Sequence, residues 1–299
     1  MWHSRGFGWI SRSCHAPRLG RSLASIVDVI VPAAAASGVA ILATLAVERF
    51  GGRMGGILSS IPTTIVPAAI GLWDGGSDPE RFRRSMAFVP VGILLNVGYL
   101  LLWRIVPARI GMIAHRHLLA WTATIALGAW FAAAFLVSVA HEWFAPSVEG
   151  ALGTGVAAAS MALAIAIAAN RVPHPAPAGR RRVGPLVLAA RGAAAGIAIG
   201  VSVALARSGL PIASSMAAVF PAIFTTIMVA TWLAQGSQVP TGAVGPMMLG
   251  TLSVSVYALL AAWAFPAMPT AAAAALCWVV AAMAVSVPGY LWLRRRPLL

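Results

Sequence analysis

Nine stretches of about twenty residues, nearly free of charge and separated mostly by short polar gaps, fill this chain. A helix needs about 20 apolar residues to cross the hydrocarbon of a bilayer. The runs that meet this length are Leu23–Val47, Gly55–Trp73, Met86–Val106, His117–Ala140, Gly150–Asn170, Leu186–Ala206, Ser214–Ala234, Ala243–Phe265 and Thr270–Leu293. Charged residues make up only 9% of the 299, against roughly 25% in a soluble domain. No water-facing surface can be built from that supply. The expected fold class is therefore an all-α integral membrane protein with about nine transmembrane helices, eight and ten being the alternatives.

Charge and cysteine narrow the class further. All 21 basic residues are Arg, against 7 acids. The arginines fall mostly in the gaps between apolar runs, where they read as topology determinants and headgroup anchors; no nucleic-acid partner is expected, and the lipid bilayer is. Cys14 and Cys277 stand too far apart in sequence to suggest a disulfide framework. Trp73, Trp103, Trp143, Trp232, Trp263 and Trp292 lie at run ends, as an interfacial belt would have them.

The fifth run decides the topology. It is uncharged but built of Ala and Gly, which barely favour insertion. With nine spans the arginines divide twelve to eight between the two sides; with the fifth run outside the bilayer they divide fourteen to six. Charge favours eight spans and hydropathy favours nine. Nine is adopted, because 21 uncharged residues seldom stay out of a bilayer. Residues 1–22 hold four Arg and no acid, a composition that fits a basic cytoplasmic tail or an organellar transit segment. The expected location is accordingly a bacterial inner membrane, with an organellar inner membrane as the alternative.

The two halves also resemble each other. Gly38, Ala40, Ile41, Ala46, Arg49 and Gly51 recur 158 residues later; Pro62, Trp73 and Pro107 recur at 159 as Pro221, Trp232 and Pro266. Ordered landmarks of Pro, Trp, Arg and Gly point to an internal repeat. The organisation expected is repeat 1 over residues 23–140 and repeat 2 over 186–293, each of four transmembrane helices. A linker helix with a Pro- and Arg-rich loop occupies 141–185, and 294–299 form a basic tail. If the linker helix spans, the repeats are inverted, a plan common among secondary transporters.

Within the second half, Phe220-Pro221 opens a span, a polar hairpin surrounds Gly236, Tyr257 lies within the next span and Cys277-Trp278 sits in the last. At these landmarks the stretch from about Gly209 to Trp292 resembles the GlpM-like family of small four-helix bacterial inner-membrane proteins. The resemblance implies a four-helix unit, of which the first half would be a diverged copy with Ile61 for Phe220 and Ala120-Trp121 for Cys277-Trp278.

Candidate site residues follow from what hydrocarbon penalises. Pro62 and Pro221 each break the second span of a repeat and free backbone carbonyls, and such breaks persist where they face protein or a water-filled cavity. The hydroxyls of Thr63, Thr64, Thr225 and Thr226 stand beside them. Asp28 and Arg191 are the ionisable groups inside spans, functional by default or snorkelling to the interface. Asn96 is the remaining buried polar candidate, as a ligand contact or as an interhelical hydrogen bond. His115-Arg116-His117 and His141-Glu142 do not make a metal set, no cofactor motif occurs, and seven acids placed mostly at span ends argue against catalysis. The function expected is a secondary transporter of a small solute, anionic by the scarcity of buried acids and the Arg-rich rims. The alternative is a membrane scaffold or assembly factor. A homo-oligomer is compatible with either.

Overall fold

The computed structural model describes residues 27, 29–42, 62, 64–74, 78–110, 117–171 and 184–295. They are all-helical, and seven helices are long and apolar enough to cross a membrane. The chain is therefore an all-α membrane protein in outline. The helices are α1 Val29–Leu42, α2 Ile65–Asp74, α3 Pro79–Ile110, α4 Leu118–Phe144, α5 Val148–Arg171, α6 Pro185–Arg207, α7 Pro211–Ala218, α8 Ala222–Gln235, α9 Gln238–Ala267, α10 Thr270–Ala281 and α11 Val287–Arg294. A π-helical turn, Ala282–Ser286, joins α10 and α11 into one span. Pro288 explains it: its nitrogen cannot donate to the Ala284 carbonyl, and a widened turn just before it absorbs the ring.

The most buried helices, α3 and α9, form the centre of the bundle. They run antiparallel. Phe82 of α3 lies 5.3 Å from Phe265 of α9 at one end, and at the other Arg104 Nη2 donates to the Thr241 carbonyl (3.4 Å). The pair α1 and α6 is antiparallel too: Gly192 faces Ile41 and Ser37, Gly196 faces Ser37 and Ala33, and Gly200 faces Ala33 and Val29. Glycine at every fourth position lets these backbones close up. By contrast α5 runs parallel to α3. Gly155 sits on the Ala87 carbonyl, and the Ala169 carbonyl accepts from Arg104 Nη1 at 2.8 Å. Beyond Val148 at its start, the buried face of α5, Ala151, Gly155, Ala158, Ala162 and Ala166, consists of small residues. The composition that made this run look weak in sequence is what lets it dock.

Chain direction sorts the charges. One end of the bundle, here the mixed end, carries Asp74, Asp78, Glu80, Glu142 and Glu149 with Arg81, Arg83, Arg84 and Arg207. The opposite, arginine end carries Arg104, Arg109, Arg171, Arg294 and Arg295, with no acid among the described residues. Three aromatic clusters pack between the helices, the third reaching the surface at Phe131. Trp73, Phe82 and Phe265 meet at the mixed end, Tyr99, Trp103 and Trp232 at the arginine end, and Trp130, Phe131 and Phe220 at mid-depth. Trp103, expected at a lipid interface, is fully buried against Trp232 instead. Trp143 is 88% exposed, as an interfacial tryptophan should be.

Candidate functional site

The span Ile212–Leu233 is broken in its middle. Pro221 has no N–H, and its ring disfavours helical geometry at Phe220, so α7 stops at Ala218 and α8 restarts at Ala222. Asn96, at the midpoint of α3, caps the break. Its Nδ2 donates to the Val219 carbonyl at 2.8 Å, and its Oδ1 accepts from the Trp130 indole nitrogen at 2.9 Å. Only one orientation of the amide satisfies both partners, and Asn96 is 2% exposed. Gly92, one turn earlier, leaves room for Val219 and Met216.

A second polar contact lies one turn further along. Thr225 Oγ1 donates to the Pro221 carbonyl (2.7 Å), so its single proton is committed. The Tyr99 hydroxyl 2.8 Å away must then donate to Thr225. Thr226 turns its hydroxyl back to the Ile223 carbonyl at 2.9 Å. The structure thus joins Asn96, Pro221 and Thr225 at one seam, with Thr226 beside it. Sequence reasoning missed Trp130 and Tyr99; each is an aromatic in an apolar run, and nothing in the pattern shows which carry a buried donor.

The other candidates lie apart. Pro62 is buried and Thr64 half-buried at the head of α2, which begins at mid-depth and runs to the mixed end. Thr63 and Asp28 lie outside the described residues. Arg191 is 6% exposed and partnered, on the part of α6 that meets the end of α1. Val29, at the other end of α1, packs at Gly200, about 13 Å along the α6 axis from Arg191 at 1.5 Å per residue.

Two hollows accompany this seam. One, of about 470 Å³, opens at the mixed end between Arg84, His141, Glu142 and the Gly209-Leu210 turn. Arg84 Nη2 and His141 Nε2 each lie 2.8 Å from Glu142 Oε1, Arg84 Nε donates to the Ala145 carbonyl at 3.0 Å, and His141 Nδ1 lies 2.7 Å from the Ser138 carbonyl. The other, of about 610 Å³, runs between α5, α9 and the last span. Neither is lined by a threonine of the two breaks. Among the described residues no three His, Cys, Asp or Glu side chains stand close enough to hold a metal ion. No protein-family model, no curated protein and no solved structure matches the chain.

Proposed function

We propose that the chain is a secondary transporter of a small anionic solute. It would be built from two inverted four-helix repeats of the GlpM-like kind joined by α5, with nine crossings. The observation that carries this reading is that helices at equivalent places in the two halves, α1 with α6 and α3 with α9, pack antiparallel. Antiparallel helices have an even number of crossings between them; counting α5, four lie between α3 and α9 (α4, α5, α6 and the α7–α8 span), and the parallel course of α3 and α5 fits α5 as one of them. The equivalent tryptophans Trp73 and Trp232 lie accordingly at opposite ends of the central pair.

The anion follows from the backbone. Both α2 and α8 begin near mid-depth and run to opposite ends, so their N-termini, the positive ends of their dipoles, both stand at about the depth of the bilayer centre. The arginine end adds a field that concentrates anions at one mouth. The membrane is proposed to be a bacterial inner membrane, an organellar one being the alternative.

The scaffold reading has one observation in its favour: the broken α7–α8 helix is already satisfied by Asn96 and Thr225. Reconstituted vesicles and Pro221→Ala separate the two. Pro221→Ala restores a backbone donor and removes a clash. If the break must rearrange, uptake of an anion panel falls at least tenfold while thermal stability holds or rises. Wild-type uptake in the variant, or no uptake of any anion by the wild type, leaves the scaffold.

A further inference from the structure

The two central helices present unequal residues at matching positions. At the 159-residue offset relating Pro62 to Pro221 and Trp73 to Trp232, Asn96 of α3 corresponds to Ser255 of α9. Beside Asn96 the Trp130 indole fills the space. In the last span the corresponding stretch, at offsets of 157 to 159, is Val287-Pro288-Gly289, which carries no side chain of that size. The 610 Å³ hollow lies here, with Leu163, Leu252, Ser255, Val285 and Gly289 on its walls. A Cβ placed on Gly289 meets nothing within 4 Å. Ser255 is 1% exposed, yet its hydroxyl has no hydrogen-bond partner, an arrangement that is costly unless something arrives to pair it.

The hollow is polar at its two extremes. Arg171, the last residue of α5, stands at the arginine end beside Trp292. Asn170 Nδ2 donates to the Gly245 carbonyl at 2.8 Å, which puts Arg171 level with Gly245. Ser255 lies ten residues on along α9, about 15 Å deeper at 1.5 Å per residue. Between them the lining is almost wholly hydrocarbon, and the volume lies in the range that holds a ligand. A cation at the headgroup level between spanning helices suits an anionic head. The apolar stretch below it suits a single chain.

We propose that this hollow binds a single-chain anionic amphiphile drawn from the bilayer. The head sits at Arg171, the hydrocarbon runs along the groove, and a mid-chain polar group pairs with Ser255. The match of Gly289 to the place of Trp130 rests on the two-repeat reading; the hollow itself does not. A plain acyl chain fills the groove but leaves the hydroxyl unpaired, so a chain with a mid-chain hydroxyl is the better ligand.

Oleate and ricinoleate, its mid-chain hydroxy analogue, serve as probes of the purified full chain in detergent, with stoichiometry read by native mass spectrometry and affinity by competition. One oleate should bind, and ricinoleate should bind about threefold to tenfold tighter, the worth of one neutral hydrogen bond. Ser255→Ala should erase that preference. Arg171→Gln should weaken both probes at least tenfold, and Gly289→Trp, which refills the groove as Trp130 does, should abolish both at unchanged thermal stability. Should Gly289→Trp reduce folded yield, the smaller Gly289→Leu should still lower occupancy. Binding unchanged in Gly289→Trp and Arg171→Gln overturns the proposal, as does a dimer that Gly289→Trp dissociates without oleate ever binding. Cysteine labelling at positions 77 and 237 separates the two readings. Same-side labelling with oleate binding lost in Gly289→Trp sinks the inverted repeat and keeps the groove, whereas opposite-side labelling with binding unchanged sinks the groove and keeps the repeat.

Discussion

Asn96→Ala tests the seam at its centre. The substitution removes both hydrogen bonds of the amide, to Val219 at 2.8 Å and from Trp130 at 2.9 Å. In water, two buried orphan groups would cost about 1–3 kcal/mol each. Within a bilayer the denatured reference also finds partners, and interhelical bonds average about 0.6 kcal/mol with a maximum near 1.7. The membrane figure governs here, because α3, α4 and the α7–α8 break stay in the bilayer when their contacts loosen. Asn96→Ala should therefore destabilise by about 1–3 kcal/mol, measured by denaturation in mixed micelles. Trp130→Phe keeps an aromatic ring and removes only the indole donor, so the double-mutant cycle should give a coupling of about 0.6–1.7 kcal/mol. A loss under about 0.5 kcal/mol for Asn96→Ala, with no coupling to Trp130→Phe, would refute the assignment of the amide as the cap of the break.

Two further outcomes follow from the packing. Gly155→Ala places a methyl on the Ala87 backbone carbonyl, which cannot swing away as a side chain could; overpacking of this kind costs about 1–3 kcal/mol, and Gly153→Ala, facing open space two residues earlier, is the control that should cost little. Cysteines at positions 77 and 237 should react with an impermeant maleimide from opposite faces of sealed vesicles, and labelling from one face alone would restore the eight-span topology.

What could be read from the sequence divides along a physical line. Hydropathy is a property of segments, and the long apolar runs appear as α3, α4, α5, α6 and α9 at nearly the expected places. Pro221 was legible as a break because one residue suffices to remove a donor. The partner of the break was not. Asn96 lies 123 residues from Val219, and nothing local selects that carbonyl over others freed nearby. Small residues misled in the opposite direction: Ala and Gly weaken a hydropathy score, yet on one face of α5 they make the close contact with α3. Trp103 went astray for a related reason. A tryptophan at a run end looks interfacial until Trp232 arrives from a helix far along the chain to bury it.

The unequal furnishing of the two halves bears on how such a molecule could move. In an inverted-repeat transporter the halves exchange roles, and perfect symmetry would leave the two access states equal in energy. Here one break is pinned by an amide and an indole, while the position matching Asn96 offers only an unpaired serine hydroxyl beside a cavity. On the two-repeat reading, the pinned side holds the resting state and the cavity side accepts the ligand. A ligand that pairs Ser255 then stabilises one state and not the other, which is the differential affinity that a population shift requires. The bias set by Asn96 and Trp130 amounts to a few kcal/mol at most. On the proposed transporter reading, that would be small enough for one bound amphiphile to offset and large enough to hold the empty protein in one conformation.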